Sequence, residues 1–414
     1  MATFSVRFLG CKVSHTDAHG IREALLADGH EEVASGADVA VVNGCCVTHE
    51  AVRKSRHAAA RAARSHARVY VTGCAANLGG EPFAGLPDNV RVIAKRSEET
   101  AAAVAGDVGA IGCVQADARL DRVRAFVKVQ DGCSFSCNFC VVPLVRGASR
   151  SRGVTAVLAE VAKRVEQGHR EVVLTGINLG CYRDRAAGYD LARLIRDAGA
   201  TPGLARLRLS SIEVNHVGPE LIAALRETPT VSRHLHVPLQ SGDDGVLRDM
   251  ARRYSSATYL RRLEPLRDEF NLTTDVIVGF PTETEAAFER TLAVVGEAGI
   301  TKVHVFPYSP RPGTVTAARD SVPSEEKKRR SSRLRAASDD VCCACWQWKI
   351  GRDDVVLVDR SGRGIDTELG SRHQHIEREK ASRDLKSEFL ARLTLGVEPQ
   401  HEDWGRRSSR DGSD

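Results

Sequence analysis

No stretch of the chain approaches the roughly 20 consecutive apolar residues that a membrane span requires, although 42% of its 414 residues are hydrophobic. The N-terminus, MATFSVRFLGCKVSHTD, turns polar too early for a secretory signal, so a cytoplasmic protein without a membrane partner is expected. A strong charge imbalance is also missing: 59 basic side chains face 54 acidic ones, and the surplus of +5 names no class of partner. What the chain does have is cysteine, 12 residues of it. In a reducing compartment spaced cysteines are more often metal ligands or reactive thiols than disulfides.

At about 100 to 200 residues per domain the length predicts two or three domains. The first hundred or so residues alternate strand and helix. TFSVRFLGC reads as a strand, DAHGIREALLADG as an amphipathic helix stopped by Gly29, DVAVVNGC as a buried strand, and RVYVTGC as a third strand. This pattern predicts an open, parallel, Rossmann-like sheet covered by helices. Cys11, Cys45 and Cys74 each fall just past the C-terminal end of a strand. In such a sheet those ends share one edge, where ligands bind, so three thiols far apart in sequence are expected to converge.

After an irregular stretch, with a boundary near Arg119, strand and helix alternate again from RAFVKVQ to KVHVFPYS in about six repeats. Six repeats suit a partial barrel of the triosephosphate-isomerase type, (β/α)6, with its active site at the C-terminal strand ends. The expected organisation is therefore an α/β protein with residues 1–118 as the first domain and 119–350 as the barrel. Residues 351–414 form a degenerate tail, in which only DDVVLVD reads as a strand and weak helix or disorder is expected for the rest.

The loop after the first barrel strand, QDGCSFSCNFCVVP, crowds Cys133, Cys137 and Cys140 together and offers no fourth thiol. A closed iron–sulfur site takes four thiolates, so three leave one iron without a protein ligand. A structural zinc site is the competing reading, and it normally takes four closed ligands. Cys113 and Cys181 read as incidental. In CCACWQW, Cys342 and Cys345 share a helical face with metal-ligand spacing, but Leu334, Val341, Cys345 and Trp348 also make an apolar stripe, which favours packing. Two basic runs stand out, VRKSRHAAARAARSHAR with Arg53, Lys54, Arg56, Arg61, Arg64 and Arg68, and EEKKRRSSRLR. Each reads singly as a solvated helix face; beside a nucleic-acid substrate they become phosphate contacts.

The C-x3-C-x2-C spacing with Phe139 before its last cysteine resembles the radical S-adenosylmethionine (SAM) superfamily. The resemblance implies that three thiolates carry a [4Fe–4S] cluster, that SAM occupies the open iron, and that an electron splits SAM into methionine and a 5′-deoxyadenosyl radical. LGCKVSHTD, VVNGCCVT, VTGC, GCSFSCNFCVVPLVRGASRSR, VVLTGINLG, LRLSSIE, HVPLQSGDDGVLRDM, TDVIVGFPTETE and HVFPYSPRPGT, in this order over roughly residues 3–318, resemble the methylthiotransferases of that superfamily. For that family the resemblance implies a second [4Fe–4S] cluster on Cys11, Cys45 and Cys74, with Cys46 at a position usually filled by another residue. It implies SAM contacts from Phe139 (backbone, to adenine), Gly176 and Asn178 (methionine moiety), and Ser210, Ser211, Glu213 and Gln240 (ribose or amino group). Each polar residue among these has helix or loop capping as its plain alternative.

GCKV after the first strand resembles the members that act on N6-threonylcarbamoyladenosine in tRNA, adding a methylthio group to C2 of the adenosine 3′ of the anticodon. Members acting on isopentenyladenosine more often show Gln-Met-Asn there, and those acting on a ribosomal protein side chain Pro-Lys-Asn; Ser14 stands where asparagine is usual. The implied partners are a tRNA anticodon loop and an electron donor such as flavodoxin or ferredoxin. The family's small C-terminal RNA-binding barrel is expected to be truncated or replaced here, which leaves an inactive RNA-binding remnant as a third reading.

Overall fold

The computed structural model describes residues 1–79, 81–109 and 124–349, together with short strands at 353–358, 364–365, 372–373 and 390–394. Strands β1 (Thr3–Phe8), β2 (Glu31–Glu32), β3 (Val39–Gly44), β4 (Arg68–Thr72) and β5 (Val90–Val92) form one parallel sheet in the order β2-β1-β3-β4-β5. Every residue of β3 is buried, as expected for a strand covered on both faces. Its side chains alternate: Val39 and Val41 pack with Ile21 and Leu25 of α1 (Lys12–Ala27), while Ala40 and Val42 pack with Ala58 of α2 (His49–Ala62). Helix α2 starts at Thr48, whose hydroxyl accepts a hydrogen bond from Ala51 N. The short α3 (Gly73–Ala76) follows β4, and α4 (Ser97–Val108) adds Val104 to the α1 face.

The second unit begins with β6 (Arg124–Lys128), and the boundary expected near Arg119 lies outside the described residues. A two-residue ladder between β7 (Gln130–Asp131) and β8 (Arg150–Ser151) closes the base of the cysteine loop, which includes α5 (Val142–Arg146). Helix α6 (Val154–Glu166) leads to β9 (Glu171–Thr175), and a small hairpin, β10 (Arg183–Asp184) with β11 (Tyr189–Asp190), precedes α7 (Leu191–Gly199). The barrel continues through β12 (Arg206–Leu209), α8 (Pro219–Glu227), β13 (His234–His236), α9 (Asp244–Asp249), α10 (Ser256–Leu263), β14 (Asn271–Val278), α11 (Glu285–Glu297) and β15 (Ile300–Pro307). All six expected strands are present, as two parallel three-stranded halves, β6-β9-β12 and β13-β14-β15. Backbone bonds Leu207 N to Thr230 O (2.7 Å) and Ile212 N to His236 O (3.0 Å) close the seam between them.

Alternation fixes which side chains face the helices. Val172, Leu174, Leu207, Leu209, Leu235 and Val276 join the core beneath the helices, so Glu171, Arg206, Arg208, His234 and His236 turn into the barrel. Helix α12 (Ser324–Lys349) packs along β15 through Leu334 and Ser338, whose hydroxyl accepts from Val303 N at 2.9 Å. No described helix is long and apolar enough to cross a membrane.

The tail departs from expectation. Strands β16 (Asp353–Val358), β17 (Gly364–Ile365), β18 (Arg372–His373) and β19 (Leu390–Thr394) form an antiparallel sheet in the order β18-β17-β16-β19. β16 is the strand expected of DDVVLVD, whereas weak helix or disorder is corrected for β17, β18 and β19. β16 finds five paired partners in β19, more than thirty positions along the chain. Strands of two to five residues carry too little alternation of their own to be read without their partners.

Candidate active site

β1, β3 and β4 are neighbours in the sheet, so their C-terminal ends bring Cys11, Cys45 and Cys74 to one edge. Cys11 sits at the N-cap of α1, 3.8 Å from the Ser14 hydroxyl, and Cys74 lies inside α3. The approach depends on glycine: a Cβ on Gly10, at φ +135°, would stand 3.1 Å from the Cys45 Cβ. Ser55 of α2 fixes the Cys45 loop by accepting from Cys45 N at 3.1 Å. Burial pushes the Cys45 thiol up to about 11, helped by the nearby Cys74 and Cys11 thiols. Cys74 is lowered instead, by the hydrogen-bonded Cys46 thiol and by Arg146, whose Nε donates to Cys74 Sγ at 3.0 Å.

In the cysteine loop, Gly132 at φ +70° admits no side chain, since a Cβ would press 2.2 Å from the Ala148 carbonyl oxygen. Cys133 N donates to Gly147 O at 3.0 Å and Cys140 N to Cys137 O at 3.1 Å. Asn138 anchors the middle by donating to Asp249 O (2.6 Å) and Met250 O (3.1 Å), and Phe139 packs against Phe280, Val246 and Met250. Burial pushes Cys140 up to about 12, with Cys137 and Cys133 adding to the shift. Arg252, buried and 3.5 Å from Glu213, donates to Cys137 Sγ at 3.4 Å.

Among the described residues no three His, Cys, Asp or Glu side chains stand close enough to share one metal ion. A cluster bonds its thiolates to separate irons, and wider thiol triads suit it. The soft donor set of both triads fits iron–sulfur ligation.

The expected SAM residues gather beside the loop. Gly176 follows β9 and donates its N–H to Ser210 Oγ at 3.1 Å, and Asn178 N donates to Gln130 Oε1 at 2.9 Å. Asn178 Oδ1 is buried and accepts no hydrogen bond from the described residues. Ser211 lies at the same strand end, its carbonyl accepting from Leu179 N at 3.3 Å. Glu213 behaves as a cap: its carboxylate accepts from Asn215 N at 2.9 Å and faces Arg252. Gln240 adopts φ +65° and bridges β14 through Asp275 O (2.8 Å) and Ile277 N (2.9 Å), a strained backbone at the mouth.

Two family models match the chain, the radical SAM superfamily over residues 127–295 and an uncharacterized protein family, UPF0004, over residues 3–95. A curated protein of Thermotoga maritima, threonylcarbamoyladenosine tRNA methylthiotransferase MtaB, is 33% identical over 382 residues, 87% of each chain. Another, the tRNA-2-methylthio-N(6)-dimethylallyladenosine synthase of Erythrobacter litoralis, is 35% identical over 398 residues, 89% of each chain. The chain belongs to the radical SAM methylthiotransferase family. It is an enzyme of that kind, with SAM and [4Fe–4S] chemistry as its cofactors. Among solved structures, the radical SAM methyltransferase TsrM of Kitasatospora setae is similar in fold, with a TM-score of 0.56 at 16% identity over 77% of each chain. The match to MtaB reaches beyond the roughly 3–318 stretch in which family motifs are legible.

Within this methylthiotransferase, several residues do work that sequence reasoning missed. Gln130, fully buried, donates to Asp131 O, Gly132 O and Ser149 Oγ while accepting from Asn178, so it ties the cysteine loop to the Gly176 segment. Its place one residue before the loop's Asp-Gly turn was the available signal. Cys181 lies 3.3 Å from His216 Nε2, and the His216 ring stacks on Phe135 at 6.2 Å. Cys113 and the side chains of Cys345 and Trp348 lie outside the described residues. The basic runs also divide. Arg56 is spent on Pro82 O and Ala84 O, and in α12 Arg329, Arg330 and Arg333 pair with Glu283, Glu285, Glu289 and Glu326. Arg61 and Arg64 remain exposed, with no ion pair among the described residues.

Proposed function

We propose that this enzyme is a tRNA methylthiotransferase that adds a methylthio group to C2 of N6-threonylcarbamoyladenosine 3′ of the anticodon, using two clusters. The observation that carries this reading is the proximity of the two thiol triads. Cys74 and Cys46 share an apolar cluster with Val141 and Val145, and Val141 directly follows Cys140. Helix α5, which begins two residues after Cys140, packs against α3, which carries Cys74. Cys133, Cys137 and Cys140 would hold the first cluster, and Cys11, Cys45 and Cys74 the second. Bound there, the clusters and SAM supply the electron transfer and radical chemistry that an unactivated C–H bond needs.

The chain's own residues do the rest. Asn178 Oδ1 and the strand-end groups of Gly176, Ser210 and Ser211 receive the polar end of SAM, and the Phe139 backbone its adenine. Glu213 acts through Arg252 to orient Cys137. A loop nucleotide is already partly unstacked, so bringing its base to the barrel mouth costs less than flipping a paired one.

The barrel interior supports the threonylcarbamoyl substrate. Arg124, Arg206 and Arg208 surround Glu171, and His236 lies 3.3 Å from Asp275. Lys12, next to Cys11, keeps contact with solvent, and the barrel groups Arg208, Arg124, Glu171 and Asp275 act on its charge. Burial lowers it to about 8, with Arg208 and Arg124 adding to the effect. An interior so rich in cations suits the carboxylate of a threonyl group and poorly suits an apolar prenyl chain. The 35% identity to a dimethylallyladenosine enzyme keeps isopentenyladenosine as a second reading. Anaerobic turnover with threonylcarbamoylated and isopentenylated tRNA, read by nucleoside mass spectrometry, decides between them. Methylthiolation of the prenylated tRNA alone would overturn the first.

A further inference from the structure

Each thiol triad is touched by one buried guanidinium, but the two are anchored differently. Arg252 and Cys137 belong to the same barrel. Arg146 belongs to the barrel and donates to a thiol of the other domain, Nε to Cys74 Sγ at 3.0 Å. Its two remaining nitrogens are spent on carboxylates, Nη1 on Asp131 Oδ1 at 3.0 Å and Nη2 on Asp17 Oδ2 at 2.8 Å. Lys128 completes the set, 2.7 Å from Asp17 and 3.3 Å from Asp131. Two cations and two anions, nearly excluded from water, form a neutral square from which one N–H projects at the Cys74 sulfur. Held by the two carboxylates, that donor keeps its aim without reorganising.

We propose that Arg146 is a positioning residue that sets the reduction potential of the second cluster. The inference rests on the reading that Cys11, Cys45 and Cys74 carry that cluster. One-electron reduction adds a negative charge spread over the irons and their sulfurs. A charged N–H held against a ligand sulfur stabilises the reduced form more than the oxidised one, and hydrogen bonds to sulfur are among the factors that set cluster potentials. Removing the donor therefore makes the cluster harder to reduce. Since Asp17 comes from α1 and Asp131 from the barrel, the donor is aimed only when the domains are docked.

The test uses the full chain with Cys133, Cys137 and Cys140 changed to Ala, so that only the second triad can carry a cluster. After anaerobic reconstitution, iron content is measured and the midpoint potential is read by electron paramagnetic resonance during a redox titration. Two variants are made in this background. Arg146→Lys keeps the charge and loses the fixed Nε; Arg146→Met with Asp17→Asn removes a cation and an anion together and leaves Lys128 paired with Asp131. The expected result is parental iron content with the reduction equilibrium lowered tenfold or more in the double variant, about 59 mV for one electron, and less in Arg146→Lys. Parental iron with an unmoved midpoint in both variants overturns the inference alone. Loss of iron from both assigns Arg146 to cluster retention and equally overturns it. A parent that takes up no iron overturns the underlying cluster reading.

Discussion

At the scale of single residues, the active site separates groups that hold the protein from groups left for a ligand. Gln130 and Asn178 are the pair that shows it. Gln130 spends both ends of its amide on the loop and on Asn178 N, so Gln130→Ala should destabilise the fold by more than about 1 kcal/mol by leaving buried partners unpaired, seen as a lower melting temperature. Asn178 Oδ1 makes no bond in the protein, so Asn178→Ala should leave melting nearly unchanged. Equilibrium binding to the reconstituted enzyme should instead show SAM affinity falling roughly five- to tenfold, the worth of about one hydrogen bond. Unchanged affinity would remove Asn178 from the SAM site. Lys12 yields a second expectation. In Lys12→Gln, turnover of threonylcarbamoylated tRNA should fall roughly tenfold or more through KM, as loss of one charged hydrogen bond implies, while iron content stays constant. An unaltered KM would place Lys12 outside substrate recognition.

At the scale of elements, much of the fold was legible because each strand carries its own alternation or buried run. The six barrel repeats and the strands ending in Cys11, Cys45 and Cys74 needed no partner to be recognised, and the sheet then makes those three strands neighbours. What failed was whatever depends on distant partners. The basic run of α12 reads alone as a solvated helix face, but Glu283, Glu285 and Glu289, more than forty positions earlier, lie against it. The β16–β19 pairing was hidden for the same reason. Helix α2 is where this matters for function. Reversing Arg61 and Arg64 together should weaken tRNA binding and flatten its dependence on salt by about 0.7 in log–log slope per lost single-strand phosphate contact. Arg56→Glu should lower the melting temperature, since it breaks the bonds to Pro82 O and Ala84 O. Equal affinity and slope in the Arg61 and Arg64 double reversal would exclude α2 from the tRNA surface.

At the scale of the whole molecule, the first sheet must stay docked on the barrel for Cys74 to lie beside Val141 and Val145 of the cysteine loop, and polar contacts contribute to this. Arg311 donates to Cys46 O at 3.0 Å, His49 lies 2.7 Å from Pro310 O, and Arg164 of α6 reaches Glu23 of α1 at 2.8 Å. The last of these titrates usefully. Burial alone would raise the Glu23 carboxyl, but hydrogen bonds from His19 and Arg164 overcome it and hold the group well below the usual carboxylate range. A carboxyl lowered in the folded state stabilises fully above its unfolded value of about 4.3 and loses that contribution only as pH falls through the folded value. Glu23→Gln should therefore melt below the parent at pH 7, keep at least that deficit down to about pH 5, and converge on the parent only in stronger acid. Because about a third of the Glu23 side chain remains exposed, the deficit should be about 1 kcal/mol or less. A deficit that shrinks between pH 7 and pH 5 would mean that another titrating group governs the docking of α1 on the barrel.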